Sequence, residues 1–156
     1  MPTPDFVLAL REKVGHDLLW LAGVMAVVLR ADREILLVRR ADTGEWTPIG
    51  GIVEPAEEPA VSARREILEE TGVVAEVERL AAVTAGEVSA YPNGDQVAFL
   101  TLVFVFRYVS GVEHVADDES TEVGWFALDA LPPMRPHFVE RIEVAVHGGP
   151  RTHFAS

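Results

Sequence analysis

The tightest constraint on this chain is a short helix whose acids do not suit an ordinary helix. Pro59 fits a first helical position, where its missing N–H costs nothing, and Gly72 fits the left-handed residue that ends a helix. At helical spacing Ala60, Val61, Ala63, Ile67 and Leu68 share one broad face. Glu66, Glu69 and Glu70 crowd opposite, within an arc of roughly 100°. Three carboxylates so placed repel one another. Glu69 and Glu70 also stand in the last turn, where the helix dipole disfavours anions by about 0.3–1 kcal/mol each when exposed. One reading is a solvated charged face, with Arg65 pairing to Glu69 across one turn. The other is a bound hard cation, which removes both penalties because Mg2+ prefers carboxylate oxygen and water. Gly50-Gly51, just upstream, favours the second reading, because backbone without side chains lets a ligand or metal come close.

The spacing is more specific than the composition. Gly51, then Glu57, then Arg65-Glu66-Ile67, then Glu69-Glu70, then Gly72-Val73 resembles the Nudix box, with every fixed position filled between Gly51 and Val73. The resemblance implies an α/β fold: an α/β/α sandwich on a mixed β-sheet, with the box as a catalytic loop-helix-loop and a C-terminal helix. It also implies hydrolysis of a phosphoanhydride. Ala56 stands where many members of the family carry glycine, which stiffens the loop without touching the chemistry.

The flanking segments agree with such a domain. The expected layout is a single domain over 1–156: an N-terminal helix or arm in 1–16, the sheet and catalytic helix in 17–131, and a C-terminal helix in 134–147. Phe6, Leu10 and Val14, with Val7 beside them, recur at helical spacing, and Gly15 ends that run. Leu18–Leu29 is apolar but too short for a bilayer, and reads as a buried strand. Ala31-Asp32-Arg33 is a turn and Glu34–Arg40 the hairpin partner. Asn93-Gly94 marks a tight turn before the long apolar strand Gln96–Val109. Gly111–Thr121 reads as an acidic loop, and Glu122–Ala127 as a strand. Pro136–Val146 is a helix with Phe138, Ile142 and Ala145 or Val146 inward, followed by a frayed tail after Gly148.

Charge and composition narrow the function. A net charge of −12 opposes a basic nucleic-acid surface, and it makes metal ions the natural bridge to an anionic substrate. With no cysteine there is no thiol nucleophile and no zinc-thiolate site. The residues themselves point to Glu66, Glu69 and Glu70 as metal ligands, with Mg2+ as cofactor and Mn2+ as a substitute. The resemblance agrees on these three and adds the Gly51 carbonyl. It further implies that Glu57 and Arg65 pair to hold the loop against the helix. The resemblance also implies a general base outside the box, on a loop well downstream; in the acidic loop there Glu119 leads, ahead of Glu122 and Asp118, with Glu69 or Glu66 as the alternative. Arg39, Arg40 and Tyr91 are candidate substrate contacts. The expected function is Mg2+-dependent cleavage of the pyrophosphate linkage of a nucleoside diphosphate bonded to another moiety, by water attack on phosphorus. A nucleotide-binding sensor that cleaves weakly or not at all is the second reading, and an RNA-processing hydrolase the third. The expected partner is a small nucleotide, with no nucleic acid and no membrane, in a cytoplasmic protein that could pair as a homodimer through its N-terminal segment.

Overall fold

The computed structural model describes residues 3–31 and 33–156. Asp32, in the expected turn, lies outside them. Three helices accompany the strands: α1 (Asp5–Val14), α2 (Pro59–Thr71) and α3 (Pro136–His147). The strands are β1 (Leu19–Arg30), β2 (Glu34–Arg40), β3 (Trp46–Thr47), β4 (Ile49–Ile52), β5 (Val74–Ala85), β6 (Ser89–Ala90), β7 (Gln96–Ser110) and β8 (Ser120–Ala127). The sheet is mixed. Its main order is β3-β2-β1-β7-β5, with β4 on β1, β6 on β7 and β8 on β2. β1 runs parallel to β7 over eleven registered pairs from Leu19↔Val97 to Leu29↔Arg107, and the other pairings are antiparallel.

Alternation along continuous apolar strands sorts side chains between two cores. Val24, Ala26 and Val28 face α2, where they meet Ala63, Ile67, Phe104 and Phe106. Met25 and Val27 face α3, with Ile142 and Ala145. The result is a sheet between two helical layers, as an α/β/α sandwich requires. No described helix is long and apolar enough to cross a membrane.

One irregularity of the sheet positions the site. β1 meets β2 at only two registered pairs, Leu29↔Ile35 and Arg30↔Glu34, while its earlier part, Gly23–Ala26, pairs with β4. The two halves of the sheet therefore fork. A cavity of about 460 Å³ occupies the fork, lined by Gly23, Val24 and Met25 of β1, Val38 and Arg40 of β2, and Gly50–Ile52 of β4.

Several expectations need correcting. α1 buries Val7 and packs Phe6, while Leu10 and Val14 are exposed, so its inner face is rotated from the expected one. The Gly50-Gly51 segment is a strand rather than a loop. Gly50 still serves close approach, because a Cβ there would lie 3.0 Å from the Val24 carbonyl. Strand β8 starts at Ser120, which shortens the acidic loop. The tail is tied down: His153 donates to the Ala81 carbonyl at 2.7 Å and accepts from Val83 at 3.0 Å, adding a parallel bridge to the edge of β5.

Candidate active site

Helix α2 starts and stops where its sequence dictates. Pro59 is in its first turn and Gly72 adopts φ 70°, the left-handed cap. Its last carbonyls find donors in the acidic loop: His114 N–H reaches the Thr71 carbonyl at 3.0 Å and Ala116 N–H reaches that of Glu70 at 3.2 Å. The loop is thus stitched to the end of the helix.

The face turned to the sheet is not the apolar one expected. Val61 and Leu68 are exposed, whereas Ser62, Glu66 and Glu70 are buried beside Ala63 and Ile67. Steps of four residues align Ser62, Glu66 and Glu70 in one stripe, and that stripe points inward. Glu66 is only 1% exposed and Glu70 6%. Burial pushes the Glu66 carboxyl up from its ordinary 4.5 to about 7, against the favourable charge of Arg65. Burial is the largest cause at Glu70 too, and there the charges of Glu66 and Asp117 add to it, raising the carboxyl to about 8.

Arg65 organises the acids around it. Nε and Nη2 donate to the two carboxylate oxygens of Glu57, each at 3.0 Å. This fork-to-fork contact ties the loop before α2 to the helix and holds the Glu57 carboxyl below its usual range. Nη1 donates to Glu66 at 2.9 Å and to Glu69 at 3.1 Å. Glu69 is turned outward onto Arg65 and is more than half exposed. Among the described residues no three acid or imidazole side chains converge as a metal's ligand set. Glu66 and Glu69 instead share Arg65 as their partner.

The cavity wall brings together Gly51, Glu70, Arg40, Tyr91 and Glu119. Arg40 donates to both oxygens of Asp42, at 2.8 and 2.6 Å, and that hydrogen-bonded carboxylate raises its pKa further. Tyr91 opens the hairpin that closes through Gly94, with its N–H on the Asp95 carbonyl at 2.9 Å. Glu119 is the last loop residue before β8, where its carbonyl accepts from Ala41 N–H at 2.7 Å and its own N–H donates to Asp117. Arg39 is not part of this wall. It leaves the cavity to donate to Glu122 and to the Gly44 carbonyl, because successive strand residues point to opposite faces. Glu122 is engaged there, and Asp118 is exposed in the loop.

The family model described as NUDIX domain matches residues 20–144. The chain belongs to the Nudix family. It is 39% identical over 109 residues to a MutT-like protein of Streptomyces ambofaciens, covering 70% of this chain and 65% of that one. It is 32% identical over 143 residues to mouse 8-oxo-dGDP phosphatase NUDT18, covering 87% and 40%. The chain thus spans about two fifths to just under two thirds of the length of these relatives. Its fold matches a crystal structure of a UDP-X diphosphatase at TM-score 0.68 and 27% identity, over 95% of this chain and 72% of the other.

Nudix hydrolases generally use divalent metal ions, and the donor chemistry here fits one. Glu66 and Glu70 are hard oxygen donors four residues apart, both buried and both raised by that burial; Arg65 bonds Glu66 directly, while Glu70 has the more distant charge of Arg40 against it. A divalent cation would offset what Arg65 leaves uncompensated. Other site residues carry no signal in the box. Asp42 occupies Arg40, Asp117 acts on Glu70, and Phe138 and Arg141 of α3 line the cavity. The spacing of Phe138 and Arg141, three residues apart on a helix, is the clue that could have found them.

Proposed function

We propose that this Nudix chain hydrolyses the pyrophosphate linkage of a nucleoside diphosphate bonded to another moiety, by attack of water on phosphorus, with Mg2+ as cofactor and Mn2+ as substitute. The observation that carries the reading is the buried Glu66–Glu70 stripe of α2 beside a cavity walled by Gly51 and Glu70. Glu66, Glu70 and the Gly51 carbonyl would hold the ion, joined by Glu69 once it is released from Arg65. When bound, the ion supplies neutralisation of the phosphate oxygens and acidification of the attacking water.

The chain's own residues do the rest. Glu57 and Arg65 fix the loop, so that the Gly51 carbonyl and the Glu66 carboxylate keep one geometry. Glu119, on the cavity wall, takes the proton from water. Arg40 receives phosphate oxygens, exchanging Asp42 for them, and Tyr91 flanks the substrate. Arg39 has no part in this scheme. The names of relatives support the class of reaction: UDP-X diphosphatase, 8-oxo-dGDP phosphatase and, at 34% identity over 122 residues, NAD-capped RNA hydrolase NudC of Pseudomonas aeruginosa. The net charge of −12 favours free nucleotides over RNA as substrate.

A panel of nucleoside diphosphate derivatives and a capped RNA, incubated with Mg2+ and scored by the phosphate fragments released, tests the proposal. Turnover of a small nucleotide, lost in Glu66→Gln, is the expected result. Tight binding with no product from any member would make the chain a sensor module instead.

A further inference from the structure

The cavity reaches both layers of the sandwich. Its wall takes Glu70 from α2 on one face of the sheet and Phe138 and Arg141 from α3 on the other. The fork between β1 and β2 connects the two ends. Arg141 is half-buried on this wall and, among the described residues, makes no hydrogen bond or ion pair. Arg40, the other arginine on the wall, has both oxygens of Asp42 as partners. Burial pushes the Arg141 guanidinium below its ordinary range; burial also lowers the neighbouring His137, and the charges of Arg141 and Arg135 add to that. None of the Arg141 nitrogens is fully buried, so the fork meets the cavity's water and can exchange it for the acceptors of a ligand. Phe138 stands three residues earlier on the same wall, half-buried against the core under α3 with the His137 ring 4.1 Å from its own, and brings an aromatic edge to the cavity.

We propose that Phe138 and Arg141 form the nucleobase pocket, and that Arg141 selects a base edge presenting two adjacent acceptors, as guanine does, over adenine. The inference rests on the nucleotide reading above, and it assigns to α3 a role in specificity. Arginine carries only donors, in a fixed planar fork. The guanine edge offers N7 and O6 together, whereas adenine sets an amino donor beside N7. A phosphate would also satisfy the fork. The base is the favoured occupant because the aromatic edge of Phe138 stands beside it and because the groups suited to phosphate and metal lie at the α2 end.

Equilibrium binding of GMP, AMP and ribose 5-phosphate, measured calorimetrically without divalent metal, tests the assignment independently of turnover. The unaltered protein should bind GMP at least about tenfold more tightly than AMP, the scale of one bidentate base contact. Arg141→Met should abolish that preference with its melting temperature unchanged, and Arg141→Lys should not restore it, because a point charge lacks the fork. Ribose 5-phosphate should bind Arg141→Met as it binds the unaltered protein. Equal affinity of the unaltered protein for GMP and AMP overturns the proposal, as does an equal loss of all three ligands in Arg141→Met, which would put the guanidinium on phosphate. Failure of hydrolysis in the panel above, with the GMP preference intact, would remove the reaction and leave the pocket.

Discussion

The two helices that cover this sheet are buried in opposite ways. α3 seals its layer with Ile142 and Ala145, each 2% exposed, as an amphipathic helix should. α2 buries Ala63 and Ile67 too, but sets Ser62, Glu66 and Glu70 beside them and leaves Val61 and Leu68 in solvent. The inner face of α3 contributes to stability through its apolar contacts. The inner face of α2 gives up part of that contribution, because carboxylates buried without enough counter-charge favour the unfolded chain whenever they must ionise. Both helices reach the cavity, but with different groups: α2 presents the buried carboxyl of Glu70 to it, and α3 presents Phe138 and Arg141.

If the contrast is right, substitutions should separate activity from stability. The largest effect is expected from Glu66→Gln and Glu70→Gln, which should lower kcat by about 10²–10⁴-fold, the range for removing a catalytic or preorganised electrostatic group. Steady-state turnover alongside thermal melts checks this; full activity in both variants would break the contrast. Next comes Ile142→Ala, expected to cost about 2–5 kcal/mol in denaturant unfolding by leaving a cavity under α3, with turnover kept where the protein is folded. Third is pH. Both carboxyls keep their protons in the metal-free fold above the pH at which the unfolded chain loses them, near 4.5. Stability should therefore fall as pH rises from about 4.5 towards 8, the folded value of Glu70. Added Mg2+ should flatten that slope in melts across the range, because the ion favours the ionised form. Fourth is Ala56→Gly. Ala56 is held at φ 66°, a left-handed conformation that costs a non-glycine residue about 1–2 kcal/mol. Glycine should raise the unfolding free energy by up to about 1 kcal/mol, after its greater unfolded-state entropy is counted. Smallest is Leu68→Gln on the exposed face, expected within about 0.5 kcal/mol of the unaltered protein.

Much of the frame was readable beforehand. Pro59, Gly72 and the spacing of the acids located α2, and the box named the family. The apolar run Leu18–Leu29 implied a buried strand. The direction in which α2 faces was not readable, because the wheel ranks residues by hydropathy, and a carboxylate turned towards a functional cavity violates that ranking. Arg39 and Arg40 were indistinguishable in sequence; strand geometry sends one to Glu122 and the other to the cavity wall. Ala56 could be seen to replace a glycine, but not that the backbone keeps the glycine conformation. The tail looked frayed because Thr152 and His153 hold it through backbone and hydroxyl contacts to β5, which leave no hydrophobic pattern.

The central claim is that Glu70 is buried for a cation's sake and at the fold's expense. The most direct test is the melting temperature of the unaltered protein and of Glu70→Gln at pH 8, each with and without Mg2+. Without the ion the variant should melt at or above the unaltered protein, and Mg2+ should raise only the unaltered protein substantially. An equal Mg2+-induced rise in both, or a metal-free variant that melts well below the unaltered protein, would contradict the account.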